Sequence, residues 1–336
     1  MDIAKPYLLF LGDVKDQLAA KTAQGVVDWR PDWCVGQLRL EGCKADCGIA
    51  DITIAEAKAK GAKTMVVGVV NAGGVLPDHW VSRIVEALDQ GLDVATGLHK
   101  RLRSIPEIAA AADRNGRKLH DVRYTDMTFA TGKGTKRPGL RLLAVGTDCS
   151  VGKKYTTLAI DKEMRARGMK SDFRATGQTG VLISGRGIAL DAVIADFIAG
   201  AAEWLSPAND PDHWDVIEGQ GSLFHPSFAG VTLGLLHGAQ PDAFIVCHEP
   251  TRTKMRGVEH PLPTIADVMD RTIVEGRLTN PKIACVGIAI NTEHLSEKDA
   301  LALLDRTGKE HGLPCVDPIR TGTGPIVDLL EKSYPA

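Results

Sequence analysis

The sequence has no excess of either charge, no apolar run of membrane-spanning length and no leader pattern. Its 336 residues include 40 Lys and Arg and 42 Asp and Glu, a net charge of −2, and the basic residues are dispersed. Binding to nucleic acid or to an anionic membrane needs clustered basic residues, so neither partner is expected. No apolar run reaches about 18 residues, and the N-terminal MDIAKPYLLFLGD lacks a signal-peptide pattern. We therefore expect a cytoplasmic protein that acts on small anionic molecules.

A disulfide framework and a zinc site are also not expected. The seven cysteines are an odd number in a chain without an export signal, which favours reduced thiols. Cys43 and Cys47 are spaced C-x₃-C with no second pair or histidine at metal spacing nearby. Cys149 differs, because it stands just before a predicted helix and Lys153, where the pKa of a thiol is expected to fall. We interpret Cys149 as a small residue that fills a loop, and an acyl-cysteine role stays open.

Strand and helix patterns alternate along the whole chain. The first half predicts strands at 7–13, 63–70 and 93–97, with helices at 50–61 and 79–91. The second half predicts further strands at 170–176, 214–219, 243–250 and 282–291. Such βαβ alternation is typical of parallel sheets, whose ligands bind at the carboxyl ends of the strands.

The length indicates two α/β domains, since a single core seldom grows beyond about 250–300 residues. A polar Gly/Lys/Pro-rich segment, 131–140, separates the two halves. We predict a Rossmann-like parallel sheet in residues 1–134 and a P-loop NTPase-like parallel sheet in residues 135–336. A homo-oligomer is expected, because exposed apolar positions in the N-terminal half would favour one.

Residues 142–157, LLAVGTDCSVGKKYTT, have the pattern of a phosphate-binding loop between a strand and a helix. Two glycines allow tight turns, the amides between them can point at anionic oxygens, and a lysine supplies positive charge. The candidate ligand-binding residues are Gly146, Thr147, Asp148, Cys149, Ser150, Val151, Gly152, Lys153, Lys154, Tyr155 and Thr156.

Two features of this loop depart from the usual P-loop. Five residues separate its glycines in place of four, and Lys154 stands where Ser or Thr normally holds magnesium. Side-chain cations can therefore neutralise a diphosphate with less need for Mg²⁺, and no metal is expected to be required. Thr156 or Thr157 could still supply a hydroxyl from the next turn, so ATP use stays open.

Three further loops carry residues that suit an anionic substrate. They offer guanidinium, hydroxyl and amide groups that bind carboxylates or phosphates, although ordinary turns and exposed arginines would have the same pattern. We name Glu218 and His225 as candidate bases, because a buried carboxylate or an imidazole can take a proton near neutral pH. The candidate substrate-binding residues are Arg174, Thr176, Gln178, Thr179, Arg186, Gln220, Ser222 and Arg252.

The loop is similar to that of dethiobiotin synthetase, which reads G-T-D/N-T-x-x-G-K-T. That enzyme also has an E-G-A-G-G segment where this chain has Glu218-Gly219-Gln220-Gly221, and an adenine-reading asparagine where it has Asn291. The resemblance implies that Glu218 faces the loop and that Asn291 binds a purine edge. It also supports an alternative function, an ATP- and Mg²⁺-dependent ligase or kinase that uses Asp148, Thr156 and Glu218 to activate a carboxylate.

GTDCSVGKK, ATGQTG, EGQGSLFHP and the Asn291 strand together resemble the DgcN family of D-glutamate N-acetyltransferases over nearly the whole chain. The resemblance implies acetyl-CoA as donor and a D-amino acid, D-glutamate above all, as acceptor, in D-amino-acid catabolism. The base would be His225 or Glu218, with Asp196 in reserve, and the substrate carboxylates would bind Arg174, Arg186 or Arg252. A nucleotide-sensing protein without turnover is the third possibility.

Overall fold

The computed structural model describes residues 3–70, 76–125 and 127–335 and divides the chain into two compact units. The first unit contains Met1–Asp126 together with Gly177–Ala192, and the second contains Met127–Thr176 together with Val193–Ala336. Each unit is built on one parallel β-sheet, which confirms the predicted fold class. None of the helices in the described ranges is long and apolar enough to cross a bilayer.

The first unit has a five-stranded parallel sheet in the order β2-β1-β3-β4-β5. Its central strands β1, β3 and β4 are buried on both faces, as parallel strands covered by helices must be. Helix α2 begins with a capping box in which Thr53 and Glu56 satisfy each other's backbone amides. The strands are β1 (Tyr7–Gly12), β2 (Cys34–Arg39), β3 (Thr64–Val67), β4 (Asp93–Thr96) and β5 (Leu119–Asp121), and the helices are α1 (Lys21–Trp29), α2 (Ile54–Ala59), α3 (Asp78–Asp89) and α4 (Pro106–Asn115).

The second unit has a six-stranded parallel sheet in the order β11-β10-β9-β6-β8-β7. Its strands are β6 (Leu140–Gly146), β7 (Ser171–Arg174), β8 (Trp214–Ile217), β9 (Ala243–His248), β10 (Ala284–Ile290) and β11 (Cys315–Val316). The helices of the second half of the chain are α5 (Lys153–Ala166), α6 (Gln178–Ser184), α7 (Ile198–Leu205), α8 (Ala229–Ala239), α9 (Ile265–Gly276), α10 (Glu297–His311) and α11 (Gly324–Ser333).

The core of the second unit explains why its strands are apolar. Side chains of β6, β8 and β9 pack with α5 and α11 in one buried cluster that includes Leu142, Val216, Ile245, Ile160 and Ile326. Because this packing fixes β6 at the centre of the sheet, it also fixes the loop that leaves β6 toward α5.

Helix α6 belongs to the first unit although it lies between β7 and β8 in the sequence. The Thr22 and Thr179 hydroxyl oxygens lie 3.1 Å apart, and the Ile3 amide donates to the Gly185 carbonyl at 3.0 Å. The boundary drawn between residues 134 and 135 divides the chain once, whereas the units divide it at 126/127, 176/177 and 192/193. The domain boundary itself stays a prediction.

The large apolar side chains that are exposed in the described ranges all lie in the second unit, among them Trp204, Val274 and Leu278. The sequence had suggested the N-terminal half as the place for an oligomer contact. The homo-oligomer itself stays a prediction.

Candidate functional site

The loop between β6 and α5 has a backbone suited to anions. A Cβ at Gly146 would lie 2.7 Å from Val151 Cγ2 and 3.1 Å from the Cys247 carbonyl, so the close approach requires glycine. Gly152 has φ of 103° and Ser150 has φ of 54°, both in the left-handed region. Alternation of left-handed with ordinary residues turns successive amides toward one concave surface, which is the geometry of a nest for anions.

Lys153 lies beneath this loop. Its Nζ donates to the Asp148 carbonyl at 2.7 Å, and burial lowers the pKa of the Lys153 ammonium. Gly219, just after β8, leaves room for the lysine, since a Cβ there would lie 2.9 Å from Lys153 Cδ and 1.7 Å from the Ala144 carbonyl. Glu218 is one of the negative charges that counter this shift.

The outer side of the loop is held by the segment that follows β9. The Arg252 guanidinium donates to the carbonyls of Cys149 and Ser150 at 2.8 and 2.9 Å, and it pairs with Asp148 at 3.1 Å. The Arg256 side chain donates to Ser150 Oγ at 2.9 Å, and the Arg256 backbone amide donates to Asp148 Oδ2 at 2.8 Å. Arg252, predicted to bind a substrate carboxylate, is thus engaged with the loop itself.

His225 is buried, and its tautomer follows from its hydrogen bonds. The Ser227 amide donates to His225 Nδ1 at 3.2 Å, so this nitrogen carries the lone pair. Nε2 then carries the proton and donates to the Arg256 carbonyl at 3.0 Å. In this arrangement the lone pair of Nδ1 is used by a backbone amide.

One side-chain group in the described residues brings three metal-ligand types together, namely Asp148, Cys149 and His225, whose donor atoms lie within 4.8 Å of one another. The buried Asp148 Oδ1 has no hydrogen-bond partner among the described residues. A metal ion fits these residues poorly, because His225 presents a proton at Nε2 where a ligand needs a lone pair.

The thiol of Cys149 is a second obstacle to metal binding. Its pKa is raised, because burial outweighs the nearby positive charge of Lys153. The prediction of a lowered pKa for Cys149 is therefore wrong, since it considered the charges and the helix end without the burial.

The hydroxyl groups on the first turns of α5 make local bonds. Thr156 Oγ1 donates to the Gly152 carbonyl at 3.0 Å, and Thr157 Oγ1 lies 3.0 Å from the Lys153 carbonyl. Lys154, at the usual magnesium position, has its Nζ 4.9 Å from the centre of the Tyr155 ring. The first turn of α5 thus presents cationic and aromatic side chains.

Glu218 follows β8 and is joined to the end of β7. The Thr176 amide donates to Glu218 Oε2 at 3.0 Å, and the Thr176 hydroxyl donates to the Glu218 carbonyl at 2.7 Å. Gln220 Nε2 donates to the same hydroxyl at 3.0 Å, and Ser222 Oγ accepts the Phe224 amide at 3.3 Å. These contacts bring Glu218, Thr176 and Gln220 together at the carboxyl edge of the sheet.

The other predicted site residues belong to several different elements of the fold. Arg174 Nε donates to the buried Asp215 at 2.7 Å, which engages this guanidinium in an ion pair. Asn291 Oδ1 accepts the Glu293 amide at 3.1 Å, and Asp196 is exposed in the turn Ala195–Phe197. The remaining three belong to the first unit, where their substrate-binding role stays a prediction: Gln178, Thr179 and Arg186.

Sequence reasoning missed two carboxylates that engage the predicted arginines. Asp215 lies inside the apolar strand β8, and a charged residue in such a strand indicates a buried partner. Glu249 pairs with Arg252 at 3.0 Å, a spacing of three residues that a close reading of the loop could have suggested.

Comparison with known proteins identifies the family. The family model described as "Domain of unknown function (DUF1611_C) P-loop domain" matches residues 128–327, and the "DUF1611_N" Rossmann-like model matches 38–125. A solved DUF1611 family protein from Anabaena variabilis has 30% identity and a TM-score of 0.86, covering 98% of this chain and 100% of its own.

Two curated relatives match over almost their entire length. A D-glutamate N-acetyltransferase from Tritonibacter scottomollicae is 56% identical, with 98% of this chain and 99% of the relative covered. A D-glutamate N-acetyltransferase from a Pseudoalteromonas species is 50% identical, with 98% and 100% covered. With both of its domains matched, the chain belongs to the DUF1611 family, which here joins a Rossmann-like domain to a P-loop domain.

Proposed function

We propose that this protein transfers the acetyl group of acetyl-CoA to the amino group of D-glutamate. The observation that carries the proposal is the near full-length identity of 56% and 50% to two D-glutamate N-acetyltransferases. The phosphate loop supplies the physical support. Coenzyme A carries a diphosphate and a 3′-phosphate but no phosphoryl group to transfer, so its loop needs cations and amides more than a magnesium hydroxyl.

The donor is proposed to bind with its diphosphate in the concavity of residues 146–153. Amides at the end of β6 and the start of α5 would receive the phosphate oxygens, and Lys153 and Lys154 would balance their charge. The partially desolvated Lys153 ammonium gains a counter-ion when an anion binds. Asn291, at the end of β10, is the proposed partner of the adenine.

Acetyl transfer requires a base, since the ammonium group of the acceptor has no lone pair. Once the base takes a proton from the ammonium, the amine attacks the thioester carbonyl and the C–S bond breaks; the CoA thiolate that leaves takes up the second proton, which the attacking nitrogen loses as the amide forms. We assign the base to Glu218, whose carboxylate is oriented by the Thr176 amide beside the loop. His225 is less suited, because accepting a proton at Nδ1 would break its bond from Ser227.

The test of the reaction is mass-spectrometric detection of products with acetyl-CoA and a panel of D- and L-amino acids. We expect acetylated D-glutamate, formed without ATP. A parallel reaction with ATP and Mg²⁺ examines the ligase alternative. Release of ADP stimulated by a carboxylic acid, without acetylation, would refute the transferase and favour that alternative.

The test of the base is the pH profile of kcat in Glu218→Gln. We expect kcat to fall by about 10²–10⁴-fold, the usual contribution of general base catalysis. Glu310→Gln, an exposed carboxylate of α10, is the control and should retain wild-type kcat. Wild-type kcat for Glu218→Gln at every pH would exclude Glu218 as the base. The pH profiles of Asp196→Asn and His225→Gln would then be compared to find the base.

We also infer that the enzyme works in the cytoplasm. Acetyl-CoA is available there, and the cysteines at all seven positions are free thiols in this fold. Fractionation of cells that produce the protein tests this location. Recovery of the protein mainly outside the cytoplasmic fraction would contradict it.

A further inference from the structure

The phosphate loop is held from its carbonyl side. In a peptide unit the C=O and N–H groups point in opposite directions, because the unit is planar and trans. Arg252 donates to the carbonyls of Cys149 and Ser150, so the amides of Ser150 and Val151 are turned away from Arg252. The arginine therefore fixes the face of the loop opposite to the one that an anion would contact.

Ser150 is the residue for which this support matters most. Its φ of 54° is left-handed, a conformation that residues with a Cβ adopt unfavourably and that glycine adopts readily. Both arginines reach Ser150, Arg252 at its carbonyl and Arg256 at its hydroxyl. Two cationic side chains thus stabilise the one strained non-glycine residue of the loop.

The two arginines are themselves held in place. Arg252 pairs with Asp148 and with Glu249, and the backbone of Arg256 is bonded to Asp148 through its amide and to His225 through its carbonyl. Asp148 and His225 are both almost fully buried, so these partners of the two arginines have little freedom to move. This network also gives His225 a place in the site without a proton-transfer role.

We propose that Arg252 and Arg256 are positioning residues that hold the loop in its anion-binding conformation before the ligand arrives. The proposal rests on the proposed function, in that the ligand is the diphosphate of the acetyl donor. It differs from a direct role, in which an arginine would contact the diphosphate or a substrate carboxylate. In the positioning role, Arg252 acts through the backbone of Ser150.

A double-mutant cycle separates the two roles. Arg252→Ala should raise KM for acetyl-CoA and Kd for CoA by roughly 10- to 100-fold, the range for loss of a charge-assisted hydrogen bond, while KM for D-glutamate changes little. In the Ser150→Gly background the same change should cost less than about threefold, because glycine holds the left-handed conformation without support. An equal cost in both backgrounds would overturn the proposal that Arg252 acts through the backbone of Ser150.

Two further variants refine the cycle. Arg252→Lys should raise KM for acetyl-CoA and Kd for CoA nearly as much as Arg252→Ala does, because an ammonium group cannot bond two carbonyls at once as a guanidinium does. Arg256→Ala removes the side-chain bond to the Ser150 hydroxyl, so its effect should vanish in Ser150→Gly, which has no hydroxyl. Arg271→Ala, an exposed arginine paired with Glu275 on α9, is the matched control and should leave both constants unchanged.

Hydrogen exchange of the ligand-free protein tests the same idea without a donor. Amides of residues 149–153 should exchange faster in Arg252→Ala than in wild type, and exchange in α9 should be unchanged as a sign of intact folding. Equal exchange of the loop in both proteins would refute positioning. If wild type neither binds CoA nor acetylates, the proposed function fails, whereas this exchange result still decides the role of Arg252.

Discussion

Replacing Gly219 by alanine should damage both the stability of the second unit and its phosphate loop. A Cβ at this position would lie 1.7 Å from the Ala144 carbonyl oxygen, and real Cβ contacts essentially never fall under 3.0 Å. The backbone must therefore shift by about 1.3 Å to relieve the contact. The opposing atom belongs to β6, a central strand of the sheet, which limits how far it can move.

Overpacking of a core typically costs 1–3 kcal/mol, and we expect about 3 kcal/mol here because the obstacle is backbone. A domain of this size loses about 2–4 °C in Tm per kcal/mol, which gives a decrease of about 6–12 °C for the second unit. The new methyl group would also lie 2.9 Å from Lys153 Cδ. Displacement of the lysine should raise KM for acetyl-CoA by roughly tenfold or more.

Calorimetry and steady-state kinetics measure the two effects, and Gly230→Ala is the matched control. Gly230 is exposed in α8 and has open space where a Cβ would lie, so alanine should raise stability by about 0.5 kcal/mol. A Gly219→Ala protein with the Tm of wild type and an unchanged KM would refute the steric argument. A lowered Tm with an unchanged KM would refute only the link to Lys153.

Three other predictions concern groups near the same sheet. Cys149 should react slowly with iodoacetamide at pH 7.5, because burial raises the pKa of its thiol, and labelling as fast as that of an exposed peptide thiol would contradict this. Burial lowers the pKa of His248, so its stabilising contribution is present above about pH 6.5 and is lost as the pH falls toward the lowered value. His248→Gln should therefore make the decrease in Tm between pH 7 and pH 5 smaller, and an unchanged decrease would exclude His248 as a cause of it. Arg141→Ala should lower the free energy of unfolding by about 3–5 kcal/mol in urea denaturation, since its fully buried guanidinium bonds Ser206 and several backbone carbonyls, and a loss under 1 kcal/mol would contradict that role.

Much of the fold could be predicted from the sequence, because its parallel strands are buried and apolar. The strands predicted at 63–70 and 243–250 correspond to β3 and β9, and the P-loop pattern correctly indicated a strand, a loop and a helix. Strand β2 was not predicted, since it lies at the edge of the sheet and is only partly buried. Its mixed sequence therefore lacks the apolar run that marks a central strand.

Less of the candidate site could be predicted, since a sequence shows which residues carry charge but not which charges meet. Arg174 and Arg252 are suitable for binding a carboxylate, and the structure pairs them with carboxylates of the chain itself. The left-handed conformation of Ser150 also could not be predicted from the sequence, because serine has no general preference for it. The pairs Arg174–Asp215 and Arg252–Asp148 join residues more than 40 positions apart in the sequence, and the conformation of Ser150 is a matter of backbone geometry.

The return of α6 to the first unit affects the order in which the chain can fold during synthesis. A ribosome releases the chain from the N-terminus, and domains generally fold as units as they emerge. The first unit lacks its Thr22–Thr179 and Ile3–Gly185 contacts until residue 185 has left the ribosome. By then β6, α5 and β7 of the second unit have already emerged from the ribosome. Ribosome-bound chains that end before this segment should therefore be more sensitive to protease than chains that include it. The first unit can thus complete its folding only after part of the second unit has been synthesised. A fragment that ends at residue 134 would lack α6, which belongs to the first unit.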